Sequence, residues 1–248
     1  HYLEMSSEKK YSYDIKIVNS TDQGFNWSNP IKLHSDNTKT EHGFVSTVNI
    51  KNGFLSTYLD GRQNELSNHD KSIRPQMTLR GTSYNIDGNI LEDLLIDDRV
   101  CDCCQTDLAI TENGQSIVVY RDRSEDEVRD IYYSYKKDSK WSKPINIFND
   151  NWKISGCPVN GPAISTYKNN SAVVWYTFSK NKNQIKVVFT DNISSGFQRP
   201  ILVEANDPIG RVDIELLDPN NAIISFIDII DDKAYINLQM ITKGGSQN

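Results

Sequence analysis

Seven of the nine arginines in this chain fall in the segments between candidate strands, six of them beside carboxylates. Arg62 follows Asp60, Arg74 lies further along the same connection, and Arg99 follows Asp97 and Asp98. Arg121-Asp122-Arg123 precedes Arg129-Asp130, and Arg211 precedes Asp213. Arg80 and Arg199 lie apart from this set, and the lysines show no such concentration. Arginine offers a rigid, planar fork that matches a carboxylate or phosphate, whereas a surface needing only solubility is served as well by lysine. Arg62, Arg121, Asp122, Arg123, Arg129, Asn160, Arg211 and Asp213 therefore form a candidate anion-binding set. The competing reading is that Arg121-Asp122-Arg123 and Arg129-Asp130 pair with one another to order a long loop, since structural ion-pair networks imitate sites.

A second group able to do chemistry is Cys101, Cys103, Cys104 and Cys157, placed at the starts of neighbouring inner strands. Three readings are open. Cys157 could form a disulfide with one of the first cluster in an oxidising compartment. The thiolates could hold a soft metal, with His42 as a further ligand, although the spacing matches no standard zinc pattern. The third reading is a set of buried thiols. No cofactor is implied.

The elements that must position these residues are short strands. Asn52-Gly53, Asn113-Gly114, Asn169-Asn170 and Asn220-Asn221 each separate two apolar runs, and such dipeptides tolerate the positive φ of hairpin turns. The preceding runs are 43–50, 106–111, 161–167 and 212–217; the following ones are 54–59, 117–120, 172–176 and 223–227. No segment of a dozen residues holds a helical period. An aromatic followed three residues later by proline recurs at Trp27, Trp141 and Phe197, the last two 56 residues apart. Four-stranded units at this spacing predict an all-β propeller of antiparallel blades, against a β-sandwich as the alternative. The expected domain is a single propeller, or a fragment of one, over 1–248. Its blades are expected at about 6–40 (partial), 41–98, 99–155, 156–206 and 207–248 (partial). Three full units are few for a closed ring, so a longer sequence or another chain is expected to complete it. In this scheme the Asn turns and the segment Ser20–Trp27 occupy one face, with Asp22 capping its own turn and Trp27 packing between sheets. The arginines and Glu41 occupy the other.

A net charge of -6 argues against a nucleic-acid partner, and no apolar stretch is long enough to insert in a membrane. No leader is visible at the amino end, so any targeting segment is expected to have been removed or not included.

The segment Ser20-Thr-Asp-Gln-Gly-Phe-Asn-Trp27, with decayed copies at Ser134–Trp141 and Thr190–Phe197, resembles the Asp box of the sialidase superfamily. The strings Val100–Thr106, Tyr120–Ser124 with Arg129–Ile131, and Gly156–Pro162 look like a subgroup of exported bacterial sialidase-like, BNR-repeat proteins of unassigned function. The resemblance implies an exported protein, periplasmic, at the cell surface or secreted. It also implies a face that binds an anionic glycan or other carboxylated ligand. A sialidase is an exo-glycosidase that binds a sugar carboxylate with three arginines, attacks with a tyrosine activated by a glutamate, and retains configuration. Carried over by face and strand, Arg62, Arg123 and Arg211 would bind the carboxylate, Tyr176 or Tyr120 would attack, and Glu41 would be the base. The family's Phe/Tyr-Arg-Ile-Pro segment is absent before the first box, and no acid aspartate is assignable. The alternative is a non-catalytic interaction or scaffold propeller in a larger envelope assembly.

Overall fold

The computed structural model describes residues 1–137 and 139–245, and the chain divides into two compact units, His1–Asp102 and Cys103–Asn248. It is all-β, built of antiparallel sheets with the four-stranded form of propeller blades. In the first unit, β1 (Tyr2–Met5), β2 (Tyr13–Ile17) and β3 (Ile31–Lys32) make a three-stranded sheet. There β4 (His42–Ile50), β5 (Gly53–Asp60), β6 (Thr78–Tyr84) and β7 (Ile90–Asp97) make a four-stranded meander. In the second unit, β8 (Asp107–Ile110), β9 (Ser116–Arg121) and β10 (Ile131–Lys137) form one sheet, its outer side filled by the short β11 (Lys140–Trp141) and β12 (Ile145–Asn146), which both pair with β10. Next come β13 (Ala163–Tyr167), β14 (Asn170–Ser179), β15 (Lys182–Thr190) and β16 (Ile201–Leu202), and last β17 (Pro208–Asp218), β18 (Asn221–Ile230) and β19 (Lys233–Thr242). No helix among the described residues is long and apolar enough to cross a membrane.

The expected hairpins are present, but in three of them the turn lies one residue before the expected dipeptide. Ile50 pairs with Gly53, Tyr167 with Asn170, and Asp218 with Asn221, so the turn pairs are Lys51-Asn52, Lys168-Asn169 and Pro219-Asn220. The reason is side-chain capping. Asp218 accepts the N–H groups of Asn220 and Asn221 at 2.7 and 3.0 Å, drawing the last turn forward. Lys168, rather than an asparagine, takes the left-handed conformation in its turn (φ 55°). One helix is present as well, α1 (Arg62–His69), eight residues joining β5 to β6. It is too short and too polar to leave a period in the sequence.

Central strands are apolar on both faces, as sheets covered on two sides require. Every residue of β9 is buried, and so are seven consecutive residues of β14, Ser171 to Thr177. The last sheet instead alternates. Val212, Ile214 and Leu216 of β17 and Ala222, Ile224 and Phe226 of β18 pack against Ala172, Val174 and Val187 of the preceding sheet. Each large side chain sealed this way is worth about 1.5–3 kcal/mol. Across the other face of that sheet, Ile236 and Leu238 of β19 are 77% and 67% exposed.

The Asp box closes through its own side chains. Asp22 accepts the Asn26 N–H at 2.8 Å and the Asn26 amide at 2.6 Å, and Ser20 accepts the Gly24 N–H at 2.8 Å. These bonds hold the Asp22 carboxyl below its usual pKa. The turn is satisfied internally, and Trp27 does not pack between sheets as expected. It is 61% exposed, its indole resting over Gly24. In the third copy Asn192 takes the aspartate's place, and Phe197 does pack, edge-on to Tyr133 at 5.1 Å between ring centroids.

In the second unit the inner strands are stitched across sheets by side chains that serve the neighbour's backbone. Asp107 on β8 accepts the Ile164 N–H of β13 at 2.8 Å, and Thr166 donates to the Ile110 carbonyl at 2.9 Å. Ser165 on β13 accepts the Leu216 N–H of β17 at 3.0 Å and donates to Glu215 at 3.1 Å. The side chain of Gln105 accepts the Gly161 N–H at 2.9 Å. A Cβ at Gly161 would fall 1.9 Å from the Gln105 carbonyl oxygen, so only glycine permits this approach. Gly161→Ala should therefore destabilise the chain by about 1–3 kcal/mol, the range for forced overpacking. Urea denaturation checks this, and an unchanged midpoint would refute the stitching.

Candidate functional site

The arginines nominated from sequence are placed in three kinds of environment. Arg121, at the end of β9, is 2% exposed and its guanidinium serves the backbone. It donates to the carbonyls of Asn160 at 2.8 Å, Arg129 at 2.5 Å and Tyr176 at 2.7 Å, and its cation lies 4.8 Å from the Trp152 ring centroid. A guanidinium engaged in this way has no approach for a ligand; it is a staple between sheets. Arg123 and Arg129 converge on Glu127, at 3.0 and 2.9 Å, and their pull holds that carboxyl below its usual pKa. The loop from Arg121 to Asp130 is closed further by the Asp122 N–H, which donates to the Asp130 carbonyl at 3.0 Å. Its ordering thus follows the competing reading in kind, with Glu127 as the shared acid.

Arg211 differs. It is exposed, and its Nη1 donates to the Val159 carbonyl at 2.8 Å. Among the described residues it makes no ion pair, and most of the five N–H donors of its fork are unengaged. Its position is built with care. The Arg211 backbone is left-handed (φ 57°), as is that of Val159 (φ 51°), a conformation that a β-branched residue adopts only at a cost. Asn160 binds the two segments together: its Oδ1 accepts the Arg211 N–H at 3.1 Å, and its Nδ2 donates to the carbonyls of Pro158 and Ile209 at 3.2 Å each. A Cβ on Gly210 (φ 93°) would lie 2.1 Å from Asn160 Oδ1. Asp213, two residues on, is exposed and caps its own strand by accepting the Ile214 N–H at 2.9 Å. Burial and the Asp213 charge raise the pKa of Asp107.

The tyrosines are placed differently from each other. Tyr120 is fully buried within β9. Tyr176 on β14 is 9% exposed, lies edge-on to Trp152 with ring centroids 5.5 Å apart, and donates its hydroxyl to Asn183 Oδ1 at 2.6 Å. Burial and the nearby Asp207 raise its pKa, which favours the neutral phenol. Glu41 belongs to the first unit, whereas both tyrosines belong to the second. Burial and the Asp102 charge raise the pKa of Glu41.

The four cysteines contain no disulfide, which corrects the first of their three readings. Cys101 and Cys104 are buried, while Cys157 is exposed at the start of the loop that Arg121 and Arg211 pin.

The first unit holds a network that the sequence signalled only through His42 and Arg62. His34 and His42 stack with centroids 3.7 Å apart, and both rings face Asp36, with nitrogens 2.7 and 3.2 Å from its Oδ2. Arg62 grips Asp60 at 2.6 Å and reaches Asp36 at 3.3 Å, so its fork is consumed by acids of its own unit. Asp14, His34 and His42, and likewise Asp36, His42 and Asp60, bring ligand atoms within 4.8 Å of one another. Yet Lys32 sits 3.1 Å from Asp14, and the Arg62 guanidinium already occupies the side of Asp36 and Asp60 where a cation would bind. The donor set is thus compensated by its own cations and does not call for a metal.

Burial would raise the Asp36 pKa, but the bonds from His34, His42 and Thr38 outweigh it and hold the carboxyl far below its usual range. Burial would lower the His42 pKa, but Asp36 and Asp60 outweigh it and raise the pKa above 6.5. For His34 burial wins, and its pKa falls. A raised histidine contributes stability fully present below the unfolded pKa and lost as pH rises through the folded one. The stability gap between the wild type and His42→Gln should therefore be larger at about pH 5.5 than at about pH 9. Urea titrations at the two pH values check this; a gap that widens towards alkaline pH would contradict it.

No family model matches the chain, and no curated protein matches it. Solved structures do. A protein of unknown function from Dyadobacter fermentans superposes with TM-score 0.58 at 12% identity, covering 91% of this chain and 63% of that one. A polysaccharide lyase described as an ulvan lyase gives 0.55 at 9% identity, over 94% of this chain and 60% of the lyase. An endo-arabinase from Bacteroides thetaiotaomicron gives 0.50 at 15% identity, over 96% and 91%. The chain thus spans about three fifths of the ulvan lyase it matches, and at these identities the likeness is one of fold, shared with carbohydrate-active proteins.

Proposed function

We propose that this chain is the glycan-recognising part of a carbohydrate-active propeller, and that Arg211 receives the carboxylate of an acidic sugar. The observation that carries the reading is the contrast among the arginines. Arg121 is engaged by backbone, and Arg62, Arg123 and Arg129 lie against acids, whereas Arg211 is exposed, pairs with no acid among the described residues, and is held by a strained, braced loop. Strained backbone kept in place by dedicated bonds is typical of ligand-holding sites. The likeness to an ulvan lyase, one form of which is bound to a glucuronate and sulfated-rhamnose repeat, supports the choice of ligand class.

Tyr176 suits proton donation better than nucleophilic attack in this reading. Its hydroxyl faces a neutral amide and its pKa is raised, whereas a sialidase-type nucleophile needs an adjacent carboxylate base. Export to the cell surface or beyond fits an acidic polysaccharide as the ligand.

Calorimetry with glucuronic acid and its oligomers tests the proposal. Arg211→Ala should weaken binding by about 1.5–3 kcal/mol, the range of a hydrogen bond to a charged group. A variant that binds as the wild type does would remove Arg211 from the site. In parallel, a fluorogenic sialoside should not be turned over; turnover abolished by Tyr176→Phe would restore the retaining exo-sialidase reading.

A further inference from the structure

Away from Arg211, the second unit carries a groove on the outer side of its sheets, between the segment after β12 and the strands β15 and β16. One cavity of about 650 Å³ is walled by Phe148, Asn151, Lys180, Gln184, Lys186 and Leu202 among others. A second, of about 460 Å³, shares Phe148, Lys186 and Leu202 with it and extends to Arg199 and Pro200. The shared walls make them one trough.

Its floor is rigid and charge-neutral. Lys186 is 8% exposed, pairs with Asp150, and holds its ammonium 4.8 Å from the Phe148 ring centroid. Asp150 is fixed in turn by the Trp175 indole N–H at 2.7 Å. Above this floor Phe148 is 40% exposed and Leu202 54% exposed, so the trough has an apolar wall open to solvent. At the rim, Arg199 and Lys180 are exposed and, among the described residues, engage no acid. A trough with an apolar wall, side-chain amides and unpaired cations suits a ring that shows C–H groups on one face and an anionic substituent at its edge. The chain as a whole carries -6, so the local cations mark this place against a repulsive background.

The geometry points to a second glycan site here, for an acidic oligosaccharide whose carboxylate or sulfate meets Arg199 while a sugar ring lies on Phe148. It rests on the functional reading above only for the class of ligand, because its residues are distinct from those that hold Arg211.

Calorimetric titration of the chain tests it, with hexagalacturonate as the carboxylate probe, a heparin hexasaccharide as the sulfate probe and maltohexaose as the neutral control. The wild type should bind two equivalents of at least one acidic probe and none of the neutral one. Arg199→Ala and Phe148→Ala should each weaken one of the two sites roughly tenfold or more, as expected for loss of a charged hydrogen bond or an aromatic contact. Arg211→Ala should weaken only the other. Both substituted side chains at the groove are at least two-fifths exposed or at the rim, and unchanged circular dichroism confirms folding. A single site lost on Arg211→Ala and indifferent to Arg199→Ala overturns the second site alone. Binding of maltohexaose in the groove, or two sites untouched by both groove variants, overturns it as well. Loss of the groove site with Arg211→Ala inert would instead overturn the Arg211 reading and leave the groove standing.

Discussion

Backbone groups on the inner strands of the second unit have partners within their own sheet on one side only, and a buried amide or carbonyl left unpaired costs as much as a lost hydrogen bond. The neighbouring sheet supplies what is missing. Asp107 serves Ile164, Ser165 serves Leu216, and Arg121 serves the carbonyls of Asn160, Arg129 and Tyr176 at once. The Arg121 guanidinium is the most demanding of these, because its charge is buried with no carboxylate in ion-pair contact among the described residues, although the buried Asp130 lies near enough to feel it. Three carbonyl dipoles and the face of Trp152 stabilise it instead. The loop around Asn160 is fixed by that arrangement, and through Asn160 so is the backbone of Arg211. A buried arginine thus positions the backbone of an exposed one.

The same residue type therefore does two kinds of work, and partner chemistry separates them. In the first unit Arg62 is drawn into a compact group of acids and stacked histidines, where opposite charges offset each other's desolvation. Around Glu127 two arginines share one half-buried carboxylate, Arg123 from the partly exposed side and Arg129 from the buried side, and together they order the loop. Arg211 and Arg199 remain outward-facing. Arg211 is held by left-handed backbone at Val159 and at itself, whereas Arg199 is outward-facing without any such backbone.

Much of the architecture was legible in residue order. Asn-rich turns between runs of alternating or continuous apolar residues located β4 with β5, β13 with β14 and β17 with β18 to within a few residues. The turn register was not legible, because the capping by Asp218 and the left-handed Lys168 are choices of the folded chain. Trp27 was misread: the box closes through Ser20, Asp22 and Asn26 whether or not its aromatic packs, since the equally self-capped third copy does pack Phe197. At the site, sequence pointed to arginine as the significant residue type but could not apportion the roles. The partners of Arg121 are carbonyls 8, 39 and 55 residues away, and every residue has a carbonyl. Arg199 was set aside because it lies outside the connections that carry the other arginines, and in the fold it is exposed. The stacked histidines were half-visible in His42, while His34 gave no signal.

The proposed division between structural and binding guanidinium groups is tested directly by NMR of the arginine Nε–Hε groups, with and without a uronic acid. The account predicts a slowly exchanging Arg121 Hε that the sugar leaves in place, and a fast-exchanging Arg211 signal that shifts and becomes protected when the sugar is added. An Arg121 signal that exchanges as fast as that of Arg211 and moves on titration, with Arg211 unmoved, would contradict it.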